Sequence, residues 1–452
     1  MQSPPLDLIQ KYNVPAPRYT SYPAVPFWEN GMTQPAWEKS VQKAYQHFGD
    51  QEGISLYIHL PYCESLCTYC GCNKRITTNH TLEIPYISTL LKEWDAYLNI
   101  LPTKPKLAGI HLGGGTPTFF SPESLKILIR HIKRHVQVLD NAELSFEGHP
   151  NNTTKAHLDA LYDVGFTRVS FGIQDFDLKV QKTIHRIQPF EKVAEVTQLA
   201  RNIGYQSVNF DLIYGLPHQT VQTISDTFDK VSKLQPDRIA FYSYAHMPEA
   251  FPAQRSFEKH LPNEEEKRGL YEHGKNLLQA MGYHEIGMDH FGLSADPLFI
   301  AKKNNTLHRN FMGYTTLPSK ILLGLGNSAI SDVFFAYSQN EKQLESYKAM
   351  ILEGKSTIVK GHQLSVKDLK MKAFILDLIC NNLAKWPIGH SPFDNPQWLR
   401  SLTEFKNEGL LEYDASEIRI LDQGTAFIRN ICMAFDPYMK SPKIKPGFSK
   451  AI

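Results

Sequence analysis

Apolar residues along the first half of this chain follow two alternating rhythms. Ile54-Ser55-Leu56-Tyr57-Ile58-His59-Leu60 is a short apolar run that stops at Pro61, which predicts a strand. From Leu82 to Leu98 the residues Ile87, Leu90, Leu91, Trp94 and Leu98 fall at helical spacing, with Lys92, Glu93 and Asp95 on the other side, which predicts an amphipathic helix. The alternation then repeats: strand Ala108–Leu112, helix Pro122–His135, strand Ala142–Phe146, helix Lys155–Val164, strand Arg168–Phe171. A helix near Val193–Ile203 precedes strand Ser207–Phe210, and a helix near Val221–Leu234 precedes strand Arg238–Tyr242. Strands alternating with helices predict parallel βα units, and six in a row point to an α/β fold built on an incomplete (β/α)6 barrel. An open doubly wound sheet has the same periodicity, and the pattern alone leaves both standing.

The flanks break this rhythm. Residues 1–50 read as an N-terminal arm, proline-rich around Pro15–Pro23 and followed by a helix from Gln34 to His47. The barrel with its extension is expected over 51–350. Residues 351–452 are expected to form a small, mainly helical C-terminal domain with a hairpin around Leu411–Ile420.

Composition narrows the function classes. With 48 basic against 46 acidic residues and no long run of like charge, the chain offers no nucleic-acid arm and no polybasic membrane patch. No stretch is apolar enough to span a bilayer, and Met1–Leu6 lacks the look of a signal peptide, so a cytoplasmic protein is expected. Of six cysteines, Cys380 and Cys432 lie far apart in apolar contexts and read as buried small hydrophobes.

The other four crowd into Cys63-Glu64-Ser65-Leu66-Cys67-Thr68-Tyr69-Cys70-Gly71-Cys72, directly after the first predicted strand. Zinc is a competitor, because four cysteines or three plus His59 complete a tetrahedron. Zinc knuckles, however, usually pair two segments, whereas all these thiols come from one loop and Cys70 and Cys72 are one residue apart. The spacing favours an iron-sulfur cluster, and one held by only three cysteines leaves an iron open to a reactant. A second motif, Gly113-Gly114-Gly115-Thr116-Pro117, follows the second strand. Alone it is equally a tight turn that needs positive φ.

Cys63-x-x-x-Cys67-x-x-Cys70 after a first barrel strand resembles the signature of the radical S-adenosylmethionine superfamily. Several longer strings resemble one family within it, the oxygen-independent coproporphyrinogen III oxidases. These are Pro17–Pro23, Cys70–Lys74, His111–Pro117, Asp211–Pro217, His308–Asn310 with Gly313–Thr316, and Arg429–Met433. The resemblance runs nearly end to end. It implies an oxidoreductase of haem and porphyrin biosynthesis that turns two propionates of coproporphyrinogen III into the vinyls of protoporphyrinogen IX, losing carbon dioxide. A 5'-deoxyadenosyl radical made at a [4Fe-4S] cluster would abstract the propionate β-hydrogen. It further implies two molecules of S-adenosylmethionine, an external electron donor such as a flavodoxin or ferredoxin, anaerobic working, and no nucleic-acid partner; nothing demands a partner subunit, so a monomer is expected. A haem chaperone of the same fold, binding haem without turnover, is the rival reading; a zinc-stabilised structural module is a second.

Residue by residue, the resemblance implies that Cys63, Cys67 and Cys70 bind the cluster and that Cys72 does not. Tyr57, Tyr69, Gly114, Glu147 and Ile330 would contact the S-adenosylmethionine nearest the cluster, with Tyr57 at the reacting centre. Gly115, Thr116, Gln174, Arg186, Asp211 and Ala245 would contact a second one. Arg18 and Tyr22 in the arm would close over substrate. Most of these positions fall at or just beyond the ends of predicted strands, the face on which parallel barrels build their sites. Taken singly, Glu147 and Asp211 equally suit helix caps or ion pairs and Arg186 a surface charge. His149, next to a proposed ligand, reads as a solvated loop histidine.

Overall fold

The computed structural model describes residues 5–317, 319–389, 391–440 and 447–451. Six parallel strands form its centre: β1 (Ile54–Leu60), β2 (Lys106–Gly114), β3 (Gln137–Gly148), β4 (Arg168–Gln174), β5 (Ser207–Tyr214) and β6 (Arg238–Ser243). They neighbour one another in chain order, and each pair is parallel. Helices Glu83–Ile100, Pro122–Arg134, Lys155–Asp163, Phe190–Ile203 and Val221–Leu234 fall between the strands. The predicted alternation is therefore present, and the arrangement is the partial barrel.

The sheet runs further than the six units. On the β6 side it continues through β7 (His284–Gly287) and β8 (His290–Gly292), both antiparallel additions, with β8 the one paired to β6. On the β1 side lie β9 (Leu322–Leu325), parallel to β1, and then β10 (Ile330–Asp332), β11 (Ala336–Asn340) and β12 (Ile358–Gln363), each antiparallel to the one before. Because β12 belongs to the main sheet, the barrel region reaches past the expected boundary at 350. These strands are short, three to six residues each, and glycine or buried serine interrupts their apolar pattern, so neither length nor periodicity announced them.

Burial explains the centre. β1 is almost wholly buried, and the helices press their apolar stripes onto the outer sheet face in one continuous core that includes Leu56, Leu90, Trp94, Leu112, Phe146 and Phe210. Glu93 departs from the amphipathic reading: it is 4% exposed. A second layer, helix Leu344–Leu352, covers that side, and Glu93 accepts hydrogen bonds from the Tyr347 hydroxyl, the Asn340 amide and the Gly326 N–H.

A separate apolar cluster joins the two ends of the chain. Leu8, Ile9, Tyr12, Tyr19 and Tyr22 pack with Phe374, Leu378, Leu402, Ile431 and Phe435. The C-terminal region carries the predicted hairpin, Leu411–Tyr413 with Glu417–Ile420, and a third strand, Leu383–Lys385, beside it. Helix Leu6–Tyr12 was not expected. Arg429 seals the seam: its guanidinium donates to the carbonyls of Ala16, Pro17, Ser449, Lys450 and Ala451.

Candidate functional site

The cysteine loop begins where β1 meets Pro61. Tyr62–Cys63 then pairs in parallel with Arg75–Ile76, closing the base of the loop. Lys74 Nζ donates to the carbonyls of Cys70 and Cys72 at 2.9 and 3.4 Å, and the Thr68 N–H donates to Ile184 O at 3.1 Å. Polar ties hold this loop, so its thiols are left for another task. All of its cysteines are free. Cys63, Cys67 and Cys70 line one pocket, about 420 Å3 of space open to solvent, with Tyr69, Thr116, His149 and Arg186.

The glycine segment lies along the start of that loop. The N–H groups of Gly115 and Thr116 donate to Leu60 O and Tyr62 O at 2.9 and 3.0 Å. A Cβ on Gly115 would stand 2.5 Å from Pro61 O, and Gly114 has φ +116° with the His59 ring 2.7 Å from where its Cβ would be. Only glycine fits this approach. Thr116 Oγ1 sits 3.3 Å from Cys63 Sγ.

Arg186 faces the thiols from the other side. Its Nη1 donates to Cys67 Sγ at 3.4 Å and its Nη2 to Gly172 O at 2.7 Å, while its buried Nε has no partner. Burial opposes its charge, but Tyr69 and Cys67 outweigh that and hold its pKa above the ordinary value. Gln174, with φ +67°, follows a register shift at the end of β4. A Cβ on neighbouring Gly172 would meet Gln174 Nε2 at 2.7 Å and Arg186 Nη2 at 2.9 Å. A hydrogen bond from Cys72, against burial, lowers the Cys70 thiol to about 6, whereas burial lifts Cys63 to about 11. Cys72 is exposed and outside the cavity lining.

Next to the loop the barrel interior encloses about 1020 Å3 of space open to solvent, lined by His111, Glu147, Asp211, Tyr242 and His290 among others. Glu147 Oε2 accepts from the Gly114 N–H at 3.3 Å, and its Oε1 stands 3.5 Å from His111 Nε2. Asp211 accepts from Ser170 Oγ at 3.2 Å; burial first, then Glu147, pushes its carboxyl up to about 7. Tyr57 bonds His59 Nδ1 at 3.1 Å and stacks its ring 6.1 Å from that of His111, its register partner across β1 and β2. Burial lowers His59 to about 4, so its ring is neutral near pH 7. Gly113 lets Tyr57 and Glu147 approach each other, since a Cβ there would stand 3.1 Å from both side chains.

The expected residues thus gather on one face, with three exceptions. Ile330 points into a small core with Trp28 and Tyr337, and only its backbone, against Gly324, nears the Tyr57 strand. Tyr22 does not reach a cavity: it is 2% exposed, packed edge-on against Tyr438, because the arm docks on the C-terminal region. Arg18 pairs with Asp289 at 2.6 Å and lines a different cavity with Tyr214, Ser243 and Arg429. His149, expected in solvent, lines the thiol cavity. Burial, with Arg186 nearby, drives its pKa down to about 2. No site role was expected for His111, Lys74 or Gln254, and His59 was considered only as a zinc ligand. His59 and His111 had a readable trace, polar residues alternating with apolar ones on Tyr57's strand and its neighbour; the other two had none.

The donor set fits a cluster bound through three thiolates. Three free thiols from one loop share a cavity, and a buried guanidinium with an unpartnered Nε stands beside them. Among the described residues, no three His, Cys, Asp or Glu side chains converge on a single metal ion.

Residues 57–231 match the radical SAM superfamily. The oxygen-independent coproporphyrinogen III oxidase of Pseudomonas aeruginosa is 37% identical, covering 99% of this chain and 98% of that protein. The enzyme of the same name from Helicobacter pylori J99 is 37% identical, covering all of both. The solved coproporphyrinogen III oxidase of Escherichia coli, described as a radical SAM enzyme, covers 97% of this chain and 100% of its own. It shares 34% identity at a TM-score of 0.88.

Proposed function

The chain belongs to the oxygen-independent coproporphyrinogen III oxidase family of radical SAM proteins, and from that premise we infer how its face of thiols, carboxylates and arginine works. It is an oxidoreductase of porphyrin biosynthesis that decarboxylates coproporphyrinogen III oxidatively to protoporphyrinogen IX. It uses a [4Fe-4S] cluster and S-adenosylmethionine. Held by Cys63, Cys67 and Cys70, the cluster would supply the electron for reductive cleavage of S-adenosylmethionine to methionine and a 5'-deoxyadenosyl radical.

In this reading Cys63, Cys67 and Cys70 are the ligands, and Arg186 offsets their negative charge and holds Cys67 from the side. Gly114, Gly115 and Thr116 give S-adenosylmethionine a wall without side chains to clash with it. Glu147 and Asp211 accept hydrogen bonds from its hydroxyl or ammonium groups, and burial, which pushes the Asp211 carboxyl up to about 7, favours its proton, whereas the Glu147 side chain is more exposed. Tyr57, held by His59, sits beside the reacting carbon, with Tyr69, Gln174, Ala245 and the Ile330 backbone completing two S-adenosylmethionine subsites. The substrate enters the barrel cavity. An external one-electron donor such as a flavodoxin or ferredoxin completes the cycle, and the protein works as a cytoplasmic monomer. Among the described residues no helix is long and apolar enough to cross a membrane.

The observation that carries this reading is the single cavity shared by three thiols of one loop and Arg186, beside the larger barrel cavity. Its test is anaerobic incubation of the reconstituted protein with coproporphyrinogen III, S-adenosylmethionine and a reductant. Vinyl product with 5'-deoxyadenosine is expected. Haem binding with neither product would install the chaperone reading.

A further inference from the structure

Beyond the barrel strands, Pro252–His260 forms a 3-10 stretch lying across the cysteine loop. Its central side chain, Gln254, is 1% exposed. The Gln254 amide donates to Tyr69 O at 2.9 Å and to Ala245 O at 3.3 Å, and its Oε1 accepts from the Met247 N–H at 2.6 Å. Tyr69 lies between two of the three proposed ligands, and Ala245 lies just past the end of β6. One side chain thus spends both of its amide hydrogens and its oxygen on backbone groups from two chain segments far apart in sequence.

We propose that Gln254 is a positioning residue that ties the cysteine loop to the segment after β6, so that the two halves of the cofactor site move as one body. The proposal rests on the reading above that these thiols carry a cluster. Two further contacts come from the same stretch and from Phe251, the residue that precedes it. The Phe251 ring lies on Gly71, where a Cβ would stand 3.1 Å from Phe251 Cε2, so the loop backbone and the ring touch directly. Phe257 packs with Tyr244 in an apolar cluster against which Tyr69 leans. The stretch therefore holds the loop on both sides of Cys70. Hydrogen bonds tolerate only a few tenths of an ångström before they weaken, and reactive geometry demands about 0.5 Å. An amide bridging both segments is suited to that demand, whereas apolar packing alone permits sliding.

Gln254→Glu and Gln254→Met test the idea on the full chain, reconstituted anaerobically. Glu keeps an acceptor for Met247 but loses the donors to Tyr69 and Ala245; Met loses all three. The expected result for both is iron per chain close to the unaltered protein, but an S-adenosylmethionine dissociation constant raised about tenfold. The change that S-adenosylmethionine induces in the electron paramagnetic resonance spectrum of the reduced cluster should shrink, and more 5'-deoxyadenosine should form per vinyl group. Unaltered binding, spectral response and ratio in both variants would overturn the proposal. Should neither variant fold, Phe251→Leu decides: a roughly threefold weaker affinity with a diminished spectral response is expected, and no change in either overturns the proposal. If the unaltered protein itself shows no cluster signal or no response to S-adenosylmethionine, the functional reading fails and not merely the role of Gln254.

Discussion

Glu143 and Glu147 stand four residues apart on the same face of β3 and meet opposite fates. Midway along the strand, Glu143 is engaged on both oxygens: it accepts from Arg168 Nη1 at 3.3 Å and from the Thr316 hydroxyl. Its neighbour across the barrel, Arg238, is likewise spent on a two-pronged pair with Asp296. At the strand end, Glu147 has two long contacts and a side chain 46% exposed, against 29% for Glu143. One end of the barrel uses its charges to close itself, and the other leaves them for a ligand. Sites in parallel barrels form at strand C-termini, and structural conservation belongs at the opposite end.

The largest effect should come from the open end. Cys67→Ser is expected to lose the bound iron and to drop activity by at least about a thousandfold, since a cluster with two protein ligands is poorly held. Cys72→Ser should keep its iron. Iron and sulfide per chain, measured on anaerobic protein, check both, and equal losses would move Cys72 into the ligand set.

Exchanging the two ends gives the next effect. Asp296 is buried at 1% side-chain exposure and also caps helix Pro297–Lys303 by accepting from the Leu298 N–H. Arg238→Met leaves that carboxylate unpaired and should cost about 3–5 kcal/mol. Glu147→Gln removes a charge with no strong partner: the denaturation midpoint should hold to within about 1 kcal/mol while turnover falls roughly a hundredfold. Urea unfolding and single-turnover assays separate them. The opposite pattern would erase the distinction between the ends.

How far this division was legible in the sequence follows from where the information sits. The six βα units were readable because each strand carries buried apolar residues against its helices and each helix shows a stripe, as Val221–Leu234 does. The crowding of four cysteines into one loop after β1 was readable from the sequence directly, while the choice of three among them came from the resemblance. Strands β9 to β12 were not, because Gly324, Ser331 and Ser338 interrupt the alternation and their pairing is decided by distant segments. Glu93 misled, since a polar residue on a helix looks solvated until a second layer covers it. Gln254 was invisible because its partners are backbone groups, and these carry no residue-type signal. Tyr22 matched a recognisable string, but a string does not say whether an aromatic side chain faces a ligand or a core.

The open end should also titrate. Burial holds Asp211 up at about 7, against roughly 4 in an unfolded chain. Between those values the folded protein keeps a proton that the unfolded protein has released, so stability falls as pH rises through that window. Asp211→Asn removes the titration. By linkage it should raise stability by up to about 4 kcal/mol at pH 8 and by about 1–1.5 kcal/mol at pH 5. Urea midpoints at the two pH values measure this, and an equal gain at both would assign the effect to something other than ionisation.

The smallest effect concerns the arm, where the comparison is sharpest. Arg18 pairs with Asp289 but remains one-third exposed, and it lines the cavity beside the barrel with Tyr214, Ser243 and Arg429. Arg429 is wholly committed to backbone carbonyls in the same seam, so the local chemistry resembles the closed end more than the open one. Partly exposed pairs contribute little, and Arg18→Gln should cost about 0.5–1 kcal/mol. If Arg18 belongs to the seam, the KM for coproporphyrinogen III rises by less than about threefold, whereas a guanidinium meeting a substrate carboxylate is worth about 1.5–3 kcal/mol, or roughly tenfold and more. Steady-state kinetics beside a urea midpoint distinguish the two. A tenfold rise in KM with an unmoved midpoint would transfer Arg18 from the wall that closes the molecule to the face that works on the tetrapyrrole.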